Sequence, residues 1–110
     1  MAFTRVCSVS DLGPGELMPV DDGPEPIALV NVAGTFHAVD DQCTHDRWSL
    51  CDGFMEGDEI ICSLHLARFS VLTGAATLPP AYEALKVYPV KVEGDDVMVD
   101  LDAGDYKETD

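Results

Sequence analysis

The apolar positions of this chain fall in short runs bounded by Gly, Pro and Asp, and none has the spacing of a long helix. Residues 3–9 (FTRVCSV) alternate between apolar and polar side chains, and so do residues 86–92 (KVYPVKV). A period of two places successive side chains on opposite faces of a strand. The pattern therefore predicts an all-β domain with antiparallel strands.

Paired runs predict β-hairpins. Residues 27–32 and 35–40 flank Ala33-Gly34, a two-residue connection in which glycine can adopt positive φ. Further pairs are 58–64 with 67–73, and 84–92 with 96–101. Because proline cannot donate a ladder hydrogen bond, Pro89 predicts an edge or a bulge within the strand at 84–92.

Two segments are predicted to be irregular, residues 14–26 and residues 41–57. The first is rich in Pro and Gly, and the polar tail after residue 101 is expected to fray. The second has no period of its own, and a loop of that length in a compact domain is usually functional or disordered. Function therefore has to be sought in residues 41–57.

Length and charge restrict the classes of function. The chain has 110 residues, which suits one domain, and six Lys and Arg against 21 Asp and Glu give a net charge of −15. Such a surface repels nucleic acid and anionic lipid, so neither is expected as a partner. The acidity fits either a basic protein partner or a role in solubility alone. No apolar run resembles a signal-peptide core or a membrane span, so we expect a soluble, cytoplasmic protein.

Two short motifs pair a cysteine with a histidine. Cys43-x-His45 is followed after sixteen residues by Cys62-x-x-His65, so each motif offers one thiolate and one imidazole. Cys7 and Cys51 have no histidine at a ligand-like spacing and are interpreted as ordinary thiols. The four side chains of the two motifs are candidate metal ligands.

Three kinds of site use such residues. A structural zinc site usually groups like ligands, with two cysteines followed by two histidines. A cysteine nucleophile with a histidine base rarely obtains its geometry from residues this close on a tight loop. A Rieske [2Fe–2S] centre has two histidines on one iron and two cysteines on the other. The spacing favours the third, with Cys43 and Cys62 on the inner iron and His45 and His65 on the outer.

The stretches CTHDRWSL, CSLHLARFSVLTG and LPPAYEALKVYPVKVEGDDVMVDL together resemble the small Rieske-type [2Fe–2S] ferredoxins of bacterial aromatic-ring-hydroxylating dioxygenase systems, most closely the biphenyl type. The resemblance implies a Rieske iron–sulfur domain over residues 1–110. Its base would be an antiparallel β-sandwich, with a small cluster-binding β subdomain at about residues 40–80. It also implies one [2Fe–2S] cluster as cofactor.

In that family the ferredoxin is not an enzyme. It passes single electrons from an NADH-dependent flavoprotein ferredoxin reductase to a terminal Rieske oxygenase, and we expect the same of this chain, as a monomer. A Rieske-like small subunit of another redox enzyme, of the nitrite-reductase type, is an alternative. A structural zinc module is another.

Residues beside the motifs are candidates for shielding or docking. Leu64 and Leu66 flank His65 and are expected to keep water from the cluster. Trp48 either packs beneath its loop or contributes to an apolar docking face. By the resemblance, Pro79 and Pro80 belong to a proline loop that closes over the cluster.

Departures from related sequences predict a low reduction potential. Respiratory Rieske proteins have a disulfide, which Trp48 and Leu64 replace here, and hydroxyl groups where this chain has Ala67 and Phe69. Without those hydrogen bonds to sulfur the reduced state is harder to reach, so we expect about −150 mV rather than +300 mV. The family usually has glycine after each cluster histidine, whereas this chain has Asp46 and Leu66. Asp46 is expected to tolerate positive φ there.

Overall fold

The computed structural model describes residues 3–42, 49–63, 66–78 and 84–106. Within these ranges the chain forms β-strands and two short 3₁₀ helices, Val9–Asp11 and Leu50–Asp52, and no α-helix. The strands are β1 (Phe3–Ser8), β2 (Leu17–Val20), β3 (Ile27–Val32), β4 (Thr35–Asp40), β5 (Phe54–Glu56), β6 (Glu59–Ile61), β7 (Arg68–Ser70), β8 (Ala76–Leu78), β9 (Val87–Tyr88), β10 (Val90–Glu93) and β11 (Asp96–Asp100). The predicted all-β class is confirmed.

The strands form three antiparallel sheets. An outer sheet has the order β1-β11-β10, a central sheet the order β2-β3-β4-β9, and a third sheet, called here the loop sheet, the order β5-β6-β7-β8. One core lies between the outer and central sheets, and a second core lies between the central sheet and the loop sheet. The central sheet is therefore covered on both faces.

This two-sided burial explains the apolar run of β3. Ile27 and Leu29 enter the core shared with the outer sheet, whereas Ala28 and Val30 enter the core shared with the loop sheet. All four side chains are fully buried, so the strand has apolar side chains on both faces. Each large apolar side chain contributes on the order of 1.5–3 kcal/mol of burial free energy.

The hairpin between β3 and β4 turns at Ala33-Gly34, as predicted. Both residues have positive φ, 51° and 96°, which matches the right-handed twist of the flanking strands. The Asn31 side chain accepts a hydrogen bond from the Gly34 N–H at 2.7 Å and donates one to the Leu12 carbonyl at 2.8 Å. The side chain thus ties the turn to the segment before β2.

The irregularity predicted at Pro89 is a change of sheet. β9 pairs with β4 in the central sheet, whereas β10 pairs with β11 in the outer sheet. Pro89 stands between them, and its carbonyl accepts a hydrogen bond from the Asp100 N–H at 3.1 Å. The single strand predicted over 84–92 is therefore two short strands that join the two sheets of the sandwich.

Three predictions of irregular structure are wrong in part. β2 lies within residues 14–26, where Pro19 is tolerated because β2 is an edge strand. The second 3₁₀ helix and β5 lie within residues 41–57. In the polar tail, Asp105 exchanges backbone hydrogen bonds with Val87.

The loop sheet is an insertion between two neighbouring strands of the central sheet. β4 and β9 pair side by side, through Ala38 with Tyr88 and Val39 with Val87, and the loop sheet lies between them in sequence. The Asp40 carboxylate closes the neck of this insertion, since it accepts hydrogen bonds from the Lys86 N–H at 2.8 Å and the Tyr88 hydroxyl at 2.7 Å. The insertion therefore leaves and re-enters the central sheet at one place.

The loop sheet lies inside the bounds predicted for a cluster-binding subdomain, residues 40–80, and those bounds stay a prediction. Within the described residues, no helix has the length and apolar content that a membrane crossing requires.

Candidate metal centre

Of the candidate ligands and the candidate shielding or docking residues, the structure describes Cys62 and Leu66. The others lie outside the described residues: Cys43, His45, Asp46, Trp48, Leu64, His65, Pro79 and Pro80. The geometry of the site therefore comes from the described segments that flank these residues.

The second motif occupies a tight turn between β6 and β7. The Cys62 N–H donates to the Ala67 carbonyl, and the Leu66 N–H donates to the Cys62 carbonyl, both at 2.9 Å. Leu66 has a φ of 62° and its side chain is 57% exposed, whereas Cys62 is 1% exposed. The turn therefore begins at a buried sulfur and ends at an apolar side chain in solvent.

The left-handed conformation of Leu66 is strained. A left-handed residue with a Cβ costs about 1–2 kcal/mol, which is why glycine is favoured at such positions. Related sequences usually have glycine at this position, and that preference is the sequence signal for the positive φ of Leu66. The positive φ predicted for Asp46 lies outside the described residues.

The ends of the first loop are paired with each other. Gln42 and Ser49 form an isolated antiparallel bridge, and the Leu50 N–H donates to the Asp41 carbonyl at 2.6 Å. Leu50 follows directly and is fully buried in the core between the central sheet and the loop sheet. The described residues on the two sides of positions 43–48 are thus hydrogen-bonded to each other.

The two loops are brought together by close packing of backbone. After Leu50 the chain turns to Gly53, where a Cβ would overlap the Ile61 carbonyl oxygen. Phe54 then pairs with Ile61, the residue before Cys62. Because Leu50 and Cys62 also share one core, the end of the first loop and the start of the second are neighbours.

The segment after residues 79–83 is anchored to the same sheet. The Leu85 N–H donates to the Gly74 carbonyl at 2.8 Å, and Leu85 is fully buried beside Phe69 and Val71 in the shared core. The stretch that contains Pro79 and Pro80 is therefore bounded by β8 on one side and by this anchor on the other.

Arg68, three residues after the second motif, is paired with two carboxylates. Arg68 Nε lies 2.9 Å from Glu59 Oε1, and the other arm of its guanidinium contacts Glu56. Arg68 therefore links β7 to β6 and β5 across the outer face of the loop sheet.

The other described cysteines have separate roles. Cys7 is buried in the core between the outer and central sheets, and this burial raises the pKa of its thiol. Burial, with a hydrogen bond to Asp41, strongly raises the pKa of the Cys51 thiol. Both thiols therefore stay protonated at neutral pH, in agreement with their interpretation as ordinary thiols.

The chemistry of Cys62 fits an iron–sulfur ligand. Its sulfur forms no disulfide, and it lies at the base of the turn that leads to His65. Among the described residues, no three His, Cys, Asp or Glu side chains are placed to hold a metal ion. The donor set of the two motifs, two sulfurs and two imidazoles, is the set of a Rieske centre.

Comparison with known proteins decides the family. Residues 2–89 match the Rieske [2Fe–2S] domain. The chain belongs to this family. The Rieske assignment of the sequence is thereby confirmed, with one [2Fe–2S] cluster as its cofactor.

Relatives of this Rieske domain include ferredoxins of dioxygenase systems. The chain is 49% identical over 104 residues to the ferredoxin component of biphenyl 2,3-dioxygenase from Rhodococcus jostii strain RHA1, covering 94% of this chain and 97% of that one. It also resembles the Sphingomonas yanoikuyae B1 ferredoxin, with a TM-score of 0.84, 33% identity and coverage of 90% and 98%. A chain in the complex of reduced oxygenase and oxidized ferredoxin of carbazole 1,9a-dioxygenase has a TM-score of 0.85, 34% identity and coverage of 98% and 97%.

Two residues that the sequence analysis missed hold the Rieske loops in place. Asp41 binds the end of the first loop, and Gly53 permits the close approach to Ile61. The Asp-Asp pair at residues 40–41, one residue before the first motif, was a signal for Asp41. Nothing local distinguishes Gly53, because its role depends on a strand eight residues away.

Replacing Gly53 by alanine tests this close packing. Because the added methyl group would meet the Ile61 backbone, Gly53→Ala should destabilise the protein by about 1–3 kcal/mol, as overpacking typically does. Gly13→Ala is the control, since its Cβ would meet only the flexible end of Glu16. Urea unfolding of both variants measures the difference, and equal effects would contradict the packing described here.

Proposed function

We propose that this chain is a one-electron carrier of an aromatic-ring-hydroxylating dioxygenase system. It takes electrons from an NADH-dependent flavoprotein ferredoxin reductase and delivers them to the terminal oxygenase. The observation that carries this proposal is the 49% identity to a dioxygenase ferredoxin component over nearly the whole of both chains. The complex of a related ferredoxin with its oxygenase supports direct docking.

The proposed ligands are Cys43, His45, Cys62 and His65. A bound [2Fe–2S] cluster accepts and returns one electron. Cys62 would supply a sulfur from the buried base of its turn, where the packed core excludes water. In the sequence His65 directly precedes Leu66, which is exposed, and this favours an imidazole on the solvent side.

The surroundings of Cys62 favour a low reduction potential. Ala67 and Phe69 are fully buried in the core beside Cys62, and neither has a hydroxyl group that could bond to sulfur. Fewer hydrogen bonds to sulfur leave the reduced state less stabilised. The potential therefore lies near the low end of the Rieske range, about −150 mV, which suits electrons from NADH.

The docking face is proposed to surround the exposed end of the second turn. Leu66 is its described member, and Trp48, Leu64, Pro79 and Pro80 are further candidates. The net charge of −15 favours a partner whose rim is basic, because opposite charges steer diffusional encounter. The carrier would act in the cytoplasm as a monomer and would have no catalytic residue of its own.

The rival functions have less support. A structural zinc module does not account for a match to the Rieske [2Fe–2S] domain over residues 2–89. A small subunit of the nitrite-reductase type does not account for relatives that are dioxygenase ferredoxins.

Replacing single buried cysteines tests the ligand assignment. Cys62→Ala should abolish the cluster, since one of the two proposed cysteine ligands is removed, and the purified protein should be colourless with little iron. Cys7→Ala is the matched control, because Cys7 is also buried but lies in the other core. Iron and acid-labile sulfide are measured for both, and a Cys62→Ala protein with full iron content would contradict the assignment.

Two substitutions of Leu66 separate its strain from its surface. Leu66→Ala and Leu66→Gly both remove the exposed apolar side chain, so electron transfer to the oxygenase should slow by about three- to tenfold. Only Leu66→Gly also relieves the left-handed strain, so it alone should gain stability, by up to about 1 kcal/mol. Stopped-flow kinetics and urea unfolding measure the two effects.

The control for docking is Leu72→Ala. Leu72 is 43% exposed and follows the opposite end of β7, so its truncation should leave electron transfer unchanged. The docking role of Leu66 would be refuted if Leu66→Ala and Leu72→Ala slowed the transfer equally.

A further inference from the structure

The Asp41 carboxylate is buried and bonded to the far end of the first loop. Asp41 is 7% exposed. Its Oδ2 accepts a hydrogen bond from the Ser49 hydroxyl at 2.8 Å, and its Oδ1 accepts one from the Cys51 N–H at 3.0 Å. One side chain therefore joins the described residues on either side of positions 43–48.

Both oxygens of the Asp41 side chain accept hydrogen bonds, one from a hydroxyl and one from a backbone amide. Among the described residues, the salt bridges of the chain do not include Asp41, so these hydrogen bonds compensate the burial of its polar oxygens. Breaking them would leave buried polar groups without partners, which costs more than an exposed bond would.

Asp40, the preceding residue, binds a different part of the molecule. Its carboxylate accepts hydrogen bonds from the Lys86 N–H and the Tyr88 hydroxyl in the neck of the insertion. Among the described residues, Asp41 bonds to Ser49 and Cys51 in the segment that follows residues 43–48, and Asp40 does not. Comparing substitutions of Asp41 and Asp40 therefore distinguishes a local effect on the first loop from a general effect of losing a charge or stability.

We propose that Asp41 is the positioning residue of the first cluster loop: by bonding Ser49 and Cys51 it fixes the two ends of the loop and thereby the placement of Cys43 and His45. This inference rests on the proposed function. Cys43 is two residues from Asp41, so the two Cα atoms are no more than about 7 Å apart. A loop whose ends are fixed loses less conformational entropy when its ligands bind iron.

The experiment compares Asp41→Ala, Asp41→Asn and Asp40→Ala, each purified with its cluster. Two quantities are measured: the electron paramagnetic resonance spectrum of the reduced protein, and the rate at which a chelator removes iron from the oxidised protein. Asp41→Ala should shift or broaden the spectrum and accelerate iron loss by on the order of 10-fold or more, as loss of residues that orient metal ligands typically does.

Asp41→Asn should largely rescue both quantities. The asparagine oxygen can still accept from the Cys51 N–H, and its amide can donate to the Ser49 hydroxyl, which also accepts. Asp40→Ala should leave the spectrum unchanged and the rate of iron loss within about twofold, although urea unfolding should show a comparable loss of stability. If Asp41→Ala does not fold, Ser49→Ala replaces it, with a smaller change in the same direction.

Each outcome decides the inference. A wild-type spectrum and rate in Asp41→Ala, or in Ser49→Ala where it replaces that variant, would overturn it. Equal changes in Asp40→Ala would also overturn it, because the effect would then be general. A wild-type protein without a Rieske spectrum would refute the proposed function and this inference together.

Discussion

The site depends on one close approach between two backbone segments. The chain that leaves the first loop passes so near to β6 that residue 53 has no space for a Cβ beside the Ile61 carbonyl. Ile61 directly precedes Cys62, so this approach sets the separation between the end of one loop and the start of the other. A binuclear cluster needs ligands from both loops. The positions of these ligands relative to each other therefore depend on that separation.

The cores beneath the loops make this approach rigid. Leu50, which ends the first loop, and Cys62 and Ala67, which bound the second, belong to one core with residues of the central sheet. The opposite face of the central sheet forms the other core with the outer sheet. A shift of either loop base would therefore disturb packing at native density, and close-packed interiors resist such shifts. A small reorganisation on reduction is what a rapid electron carrier needs.

Much of the fold could be predicted from the sequence, because the longer strands and their turns have recognisable patterns of neighbouring residues. The hairpin of β3 and β4 has six-residue strands and a two-residue turn with glycine, and β11 alternates clearly. The strands missed, β2, β5 and β8, have only three or four residues, too few for a period to be recognised. Their conformation is determined by pairing with neighbours distant in sequence, which local patterns do not show.

The residues of the candidate site were likewise predictable only in part. The four proposed ligands could be predicted because metal binding requires particular side chains at short spacings. The role of Gly53 depends on its contact with β6, which local sequence patterns do not show. Asp41 and the left-handed Leu66 have only indirect signals, the Asp-Asp pair and the glycine usual in related sequences.

The most direct measurement is pulsed electron paramagnetic resonance of the dithionite-reduced protein, which detects nitrogen nuclei bound to the reduced iron. The account predicts two strongly coupled nitrogens, one from each proposed histidine. A paramagnetic cluster with no coupled imidazole nitrogen, or purified protein without iron, would contradict it.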